Sequence, residues 1–156
     1  MYGSTTENFT NKIIIEFAKT IEMFGLSPAE ARLFVYLYLQ EEPQTLDGMG
    51  EALGKSKTSI STSIRSLSDS NLVTRVWKKG VRKDLYEANT QLFRTFMNNY
   101  VNKWLDASSH QKDSLEDIRE ELESRTVSHK ALANNLDDII DFHKQIDTSF
   151  RQLNSE

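Results

Sequence analysis

Hydrophobic positions in the first quarter of the chain recur at helical spacing. Phe9, Ile13, Phe17, Ile21 and Phe24 fall on one side of a helix over 9–24, and Gly25 ends it. Ser27-Pro28 opens a second helix, with Ser27 as N-cap, Pro28 in the first turn and Glu30 three residues after the cap, the pattern of a capping box. That helix carries Ala31, Phe34, Val35, Leu37, Tyr38 and Leu39 and stops before Pro43. A short third helix follows, with Thr45 as N-cap, Leu46, Met49 and Leu53 on one face, and Gly54 as its C-cap.

The next stretch, Ser56–Ser70, is unusual, because nine of its fifteen residues are Ser or Thr. Such hydroxyls compete for backbone hydrogen bonds and make mediocre helix formers. Even so, Ile60, Ile64 and Leu67 sit at i, i+4 and i+7, so an amphipathic helix capped by Ser56 is expected. Beyond it, residues 72–87 read as a β-hairpin: LVTRVWKK alternates, KGV turns the chain and RKDLYEA returns. Short helix, Gly turn, second helix and basic hairpin are the layout of a winged helix-turn-helix.

From Asn89 to the end there is neither Gly nor Pro. A heptad seam runs through Trp104, Ser108, Gln111, Leu115, Ile118 and Leu122 and continues from Leu132 through Leu136, Ile139, His143, Ile146, Phe150 and Leu153. It turns polar at Arg125 and His129. The polar middle marks either a turn between two helices near 124–129 or a weak waist in one long helix. A turn is the favoured reading. Heptads of this kind bury a stripe against another helix, so a homodimer is expected. The predicted class is mainly α with a small β-hairpin. Residues 1–26 form an N-terminal helix for core or dimer packing, 27–88 the winged helix-turn-helix, and 89–156 a helical dimerisation region.

Charge sharpens this picture. The net charge of −4 alone argues against nucleic acid. Between Lys55 and Lys83, however, eight basic residues face one acid, Asp69, for a local net charge of +7. Residues 105–156 carry twelve acids against six bases and should stay off DNA. With Ile60 at the centre of the buried face, Thr58, Thr62 and Arg65 lie opposite and Ser61 beside them. Lys57 and Ser59 flank the N-terminal end, next to Lys55 and Ser56. Lys78, Lys79, Arg82 and Lys83 crowd the hairpin tip. Short hydroxyl side chains allow a helix to approach base edges closely, and cations on a wing meet the phosphate backbone. These twelve residues are the candidate contacts to a double-stranded, pseudo-palindromic operator. Asp69 should stand at the groove's edge.

Other classes are disfavoured. The chain has no cysteine, which removes disulfides and thiolate metal sites. His110, His129 and His143 are scattered, no nucleophile elbow occurs, and no metal or cofactor is expected, so an enzyme is not. No apolar run is long enough to span a membrane and no signal-peptide pattern opens the chain, so a cytoplasmic location is expected. The alternative function is a winged-helix adaptor that binds protein rather than DNA, but an adaptor has no reason to maintain the +7 patch.

An aromatic row adds a second candidate site. Phe93, Phe96, Tyr100 and Trp104 share a helix face, beside Met97. Packing accounts for such a row; so does an aromatic cage for a quaternary ammonium ligand held by cation–π attraction. Tyr36, Tyr38 and Phe34 could complete the cage.

TLDGMGEALGKSKTSISTSIRSLSDSNLV, WKKGVRKDLYEA and FMNNYVNKW together resemble the GbsR-type branch of the MarR-like winged-helix repressors, over about residues 10–105. The resemblance implies a dimeric repressor of genes for uptake or synthesis of glycine betaine under osmotic stress, responsive in some members to choline. It implies that Gly54–Leu67 is the turn and recognition helix, Trp77–Tyr86 the wing, and the aromatic positions of FRTFMNNYVNKW the cage.

Overall fold

The computed structural model describes residues 2–125 and 129–154. They form two compact units divided between Phe96 and Met97.

The first unit runs α1 (Tyr2–Glu22), α2 (Pro28–Leu39), β1 (Gln44–Thr45), α3 (Leu46–Leu53), α4 (Lys57–Asp69), β2 (Val73–Val76), β3 (Leu85–Ala88) and the start of α5 (Leu92–Glu123). Its local signals act as expected. The Ser27 hydroxyl accepts from the Glu30 amide, and the Glu30 carboxylate accepts from the Ser27 amide, closing the capping box. Thr45 caps α3 through the Gly48 amide and Ser56 caps α4 through the Ser59 amide. Gly54 ends α3 in the left-handed region at φ 65°, where a side chain would be strained. A Cβ on Gly50 would stand 2.8 Å from the Lys55 carbonyl oxygen, so the α3–α4 turn can close tightly only over glycine.

The sheet has three antiparallel strands in the order β1-β3-β2. The hairpin pairs Val73 with Ala88 and Val76 with Leu85. β1, absent from the sequence reading, pairs Gln44 with Tyr86 and Thr45 with Leu85. The core packs Ile21 of α1, Leu33, Phe34 and Val35 of α2, Met49 of α3, Ile60, Ile64 and Leu67 of α4 and Val73 of β2. Phe96 closes it, its ring centroid 4.9 Å from that of Phe34 and 5.3 Å from that of Phe24.

One face of α1 departs from expectation. Ile14, Ala18 and Ile21 are buried, whereas Phe9 and Ile13 are 58% and 47% exposed. Steps of four residues advance about 40° beyond a full turn on each repeat, so the row Phe9–Ile13–Phe17–Ile21 spirals away from the contact.

The second unit is a helical hairpin of the rest of α5 with α6 (Lys130–Asn154). Two helices are therefore present, as the polar middle of the seam suggests; residues 126–128 of the expected turn lie outside the described residues. The helices are antiparallel. Asn154 donates to Asn102 at 2.9 Å, and Arg119 reaches Asp137 at 2.7 Å across the hairpin and Glu123 at 2.7 Å along its own helix. Their inward stripe differs from the expected seam. Val101, Leu105, Ser108, Leu136 and Ile140 are buried, but Trp104, Ile118, Leu132, Ile139 and Leu153 of the seam are 42–57% exposed. Ser108, Leu136, His143, Ile146 and Phe150 keep their inward or half-buried places. Apolar neighbours such as Trp104-Leu105 and Ile139-Ile140 allow two helix faces, and the hairpin uses the adjacent one.

Candidate nucleic-acid interface

The interface is built on α4. Ile60, Ile64 and Leu67 are buried to 3% or less of their surface, which fixes the helix by its inner side and makes its weak intrinsic propensity unimportant. Thr58, Thr62 and Arg65 are exposed on the opposite side, and Ser59 and Ser61 are half-buried at its flanks. Lys55, Ser56 and Lys57 are exposed at the N-terminal end, and Lys78, Lys79, Arg82 and Lys83 are exposed on the wing. The twelve expected residues thus lie on the HTH turn, the outer side and flanks of α4, and the wing. Asp69 is exposed as the last residue of α4.

Local bonding narrows what each hydroxyl can do. The Ser56 oxygen accepts from the Ser59 amide, which leaves its O–H proton to give. Thr62 donates to the Thr58 carbonyl at 3.0 Å. Its proton is therefore committed to the backbone, and it offers outward a methyl group and an acceptor oxygen. Arg65 has five donors in a planar fork, suited to the acceptor edge of guanine. Ser66 donates instead to Glu30 on α2, which ties α4 to the rest of the unit.

The charge count from sequence overstates the free positive field. Asp84 stands one residue beyond Lys83 and pairs with Arg75 at 3.0 Å across the hairpin. Asp47, in the first turn of α3, lies 3.4 Å from Lys83 and 3.9 Å from Lys57. Asp84 fell outside the count because the window closed at Lys83, whereas Asp47 is distant from the wing in sequence and reaches Lys83 through a tertiary contact. Two further residues were missed. Arg32 of α2 joins Lys55, Ser59 and Ser63 around a cleft of about 340 Å³ between α2 and α4. Trp77 is 82% exposed at the base of the wing. No period or motif marks Arg32, and Trp77 was placed on the wing without being counted as a contact.

The structure redistributes the expected aromatic cage. Phe96 is 4% exposed as a core residue of the first unit, and Phe93 is 81% exposed. Tyr38 packs on Phe17 and Phe34. Tyr36 donates to Gln44 at 3.5 Å, and burial raises its hydroxyl pKa. Within the second unit, Tyr100 and Trp104 cluster with Phe150, which was read only as a seam residue. Trp104 and Phe150 stack with centroids 5.6 Å apart and planes at 16°, and Tyr100 stands 6.2 Å from Phe150. No group of three or more His, Cys, Asp or Glu suited to a metal occurs among the described residues, nor any helix long and apolar enough to cross a membrane.

Residues 21–90 match the family model of the sugar-specific transcriptional regulator TrmB. Over 116 residues the chain is 31% identical to the HTH-type transcriptional repressor OpcR of Bacillus subtilis (strain 168), covering 74% of this chain and 63% of that protein. Over 98 residues it is 33% identical to the HTH-type transcriptional repressor GbsR of the same organism, covering 63% of this chain and 54% of that one. The chain thus spans less than two thirds of the length of either repressor. A crystal structure of a transcriptional regulator superposes with a TM-score of 0.63 over 94% of this chain and 99% of that one, at 16% identity, a likeness of fold.

Proposed function

This chain belongs to the GbsR-type branch of winged helix-turn-helix transcriptional regulators, and from that premise we propose that it is a dimeric repressor of osmoprotectant genes, not an enzyme. In this reading α4 enters the major groove of double-stranded DNA, the wing holds phosphate backbone, and two protomers address half-sites about one helical turn, roughly 34 Å, apart. One observation carries the reading: every apolar side chain of α4 is spent inward, while Thr58, Thr62 and Arg65 stand exposed on the far side. Mobility shifts with candidate operators at several salt concentrations test it. Log affinity should fall linearly with log salt; a flat dependence would leave the protein-binding adaptor in its place.

The proposed effector is a small quaternary ammonium compound, with choline first and glycine betaine second. Its support is the resemblance and the cluster of Tyr100, Trp104 and Phe150, where Trp104 stays 42% exposed and can offer ring surface to a cation. The TrmB match ends at residue 90, so its sugar-specific description does not reach these rings. Choline should quench Trp104 fluorescence, raise the melting temperature and lower operator affinity. Calorimetry without heat for either compound at millimolar concentration would return the cluster to packing.

A further inference from the structure

The cleft between the N-terminal ends of α3 and α4 and the wing encloses about 260 Å³ and brings Asp47, Lys57, Arg82, Lys83 and Asp84 together. Asp84 is engaged by Arg75. Asp47 splits its two oxygens between the neighbouring elements: Oδ1 lies 3.9 Å from Lys57 Nζ on the recognition helix, and Oδ2 lies 3.4 Å from Lys83 Nζ on the wing. A single carboxylate therefore stands between a cation of α4 and a cation of the wing. All three side chains are more than half exposed, at 55%, 70% and 69%. Ion pairs so well hydrated are weak and exchange readily. A phosphate, which can accept from several cations at once, can take over both lysines.

We propose that Asp47 is an internal competitor for DNA phosphate: in the free protein it neutralises part of the charge of Lys57 and Lys83, and it must give up both when the duplex docks. The inference rests on reading α4 and the wing as the DNA-contacting surface. It assigns Asp47 a role opposite to that of the cations around it, lowering affinity for every duplex. A merely structural clamp would behave differently, since loosening it would weaken binding.

The test measures binding of a random-sequence duplex of about 30 base pairs across a salt series, with wild type, Asp47→Asn and Glu51→Gln. Glu51 is exposed on the same helix and does not line the cleft. Freeing the lysines for about one more phosphate should steepen the salt slope of Asp47→Asn by about 0.9 and raise affinity about fivefold near 0.15 M salt. Glu51→Gln should change affinity less than about twofold, as a distant surface charge does. An Asp47→Asn protein with an unchanged slope, or with weaker binding, overturns the proposal while the DNA-binding reading stands. A wild type that binds no duplex overturns both. Asp47→Ser, read by the same slope, takes the place of Asp47→Asn if circular dichroism shows that protein unfolded.

Discussion

α4 and α6 are both amphipathic, yet they use their apolar residues in opposite ways. In α4 Ile60, Ile64 and Leu67 all face the core and the outer side is hydroxyl and cation. In α6 Leu136 and Ile140 face inward, while Leu132, Ile139, Phe142 and Leu153 remain 45–60% exposed. The first helix has a finished inner side and an outer side suited to a polar partner. The second has hydrocarbon left over after its own hairpin is packed. Exposed apolar residues on α6, with Trp104 and Ile118 of α5, are what the homodimer proposed above would bury.

The strongest test of this contrast pairs one substitution on each helix. Ile64→Ala should cost about 2–5 kcal/mol in urea denaturation, because it opens a cavity under α4. Ile139→Ala should change the stability of the monomer by no more than about 0.5 kcal/mol. Equal costs would erase the distinction between a spent and a surplus residue. Next, Arg65→Ala should lose about 1–3 kcal/mol of preference at one base pair, read by competition between operator variants. A variant that keeps full operator preference would show that the outer side of α4 is not the reading face. Replacing both Ile139 and Phe142 with Ser should weaken dimerisation about tenfold or more in sedimentation equilibrium, at unchanged helix content. Arg82→Ala should weaken binding to all duplexes alike and flatten the salt slope by about 0.9. The smallest effect concerns acid. The hydrogen bond from Arg119 holds the Asp137 carboxyl below the ordinary Asp range. A lowered folded-state pKa means that the contribution of this pair is fully present above the unfolded value and fades as pH falls through the folded one. Asp137→Asn should therefore show a shallower loss of melting temperature between pH 5 and pH 2 than wild type.

The sequence was most legible where structure is decided locally. The capping box at Ser27 and Glu30, the caps at Thr45 and Ser56 and the left-handed Gly54 are settled within a few residues, and each stands where its pattern points. β1 was not legible, because a two-residue strand has no period and exists only through its pairing with Tyr86 and Leu85. The buried faces of α1 and the hairpin were half legible. Ile13-Ile14-Ile15, Trp104-Leu105 and Ile139-Ile140 offer neighbouring apolar positions, and only the packed partner decides between them. The interface residues could be named from spacing and charge, but their counter-ions could not. Asp47 meets Lys83 from 36 residues away. The aromatic row was half legible for a similar reason: Tyr100 and Trp104 do cluster, and Phe96 does not join them. A shared helix face says nothing about where one compact unit ends, and Phe96 is drawn into the core of the first by Phe24 and Phe34.

Glu30 serves two elements at once. One carboxylate oxygen accepts from the Ser27 amide at the head of α2, and the other accepts from the Ser66 hydroxyl on α4. The opening turn of α2 is therefore a gauge for the seating of the recognition helix. An outward displacement of α4 would force Glu30 to release either Ser66 or its own cap. Hydrogen exchange at the Ser27 amide should then slow on binding to an operator, registering the docking of α4 at a proton that touches no nucleotide.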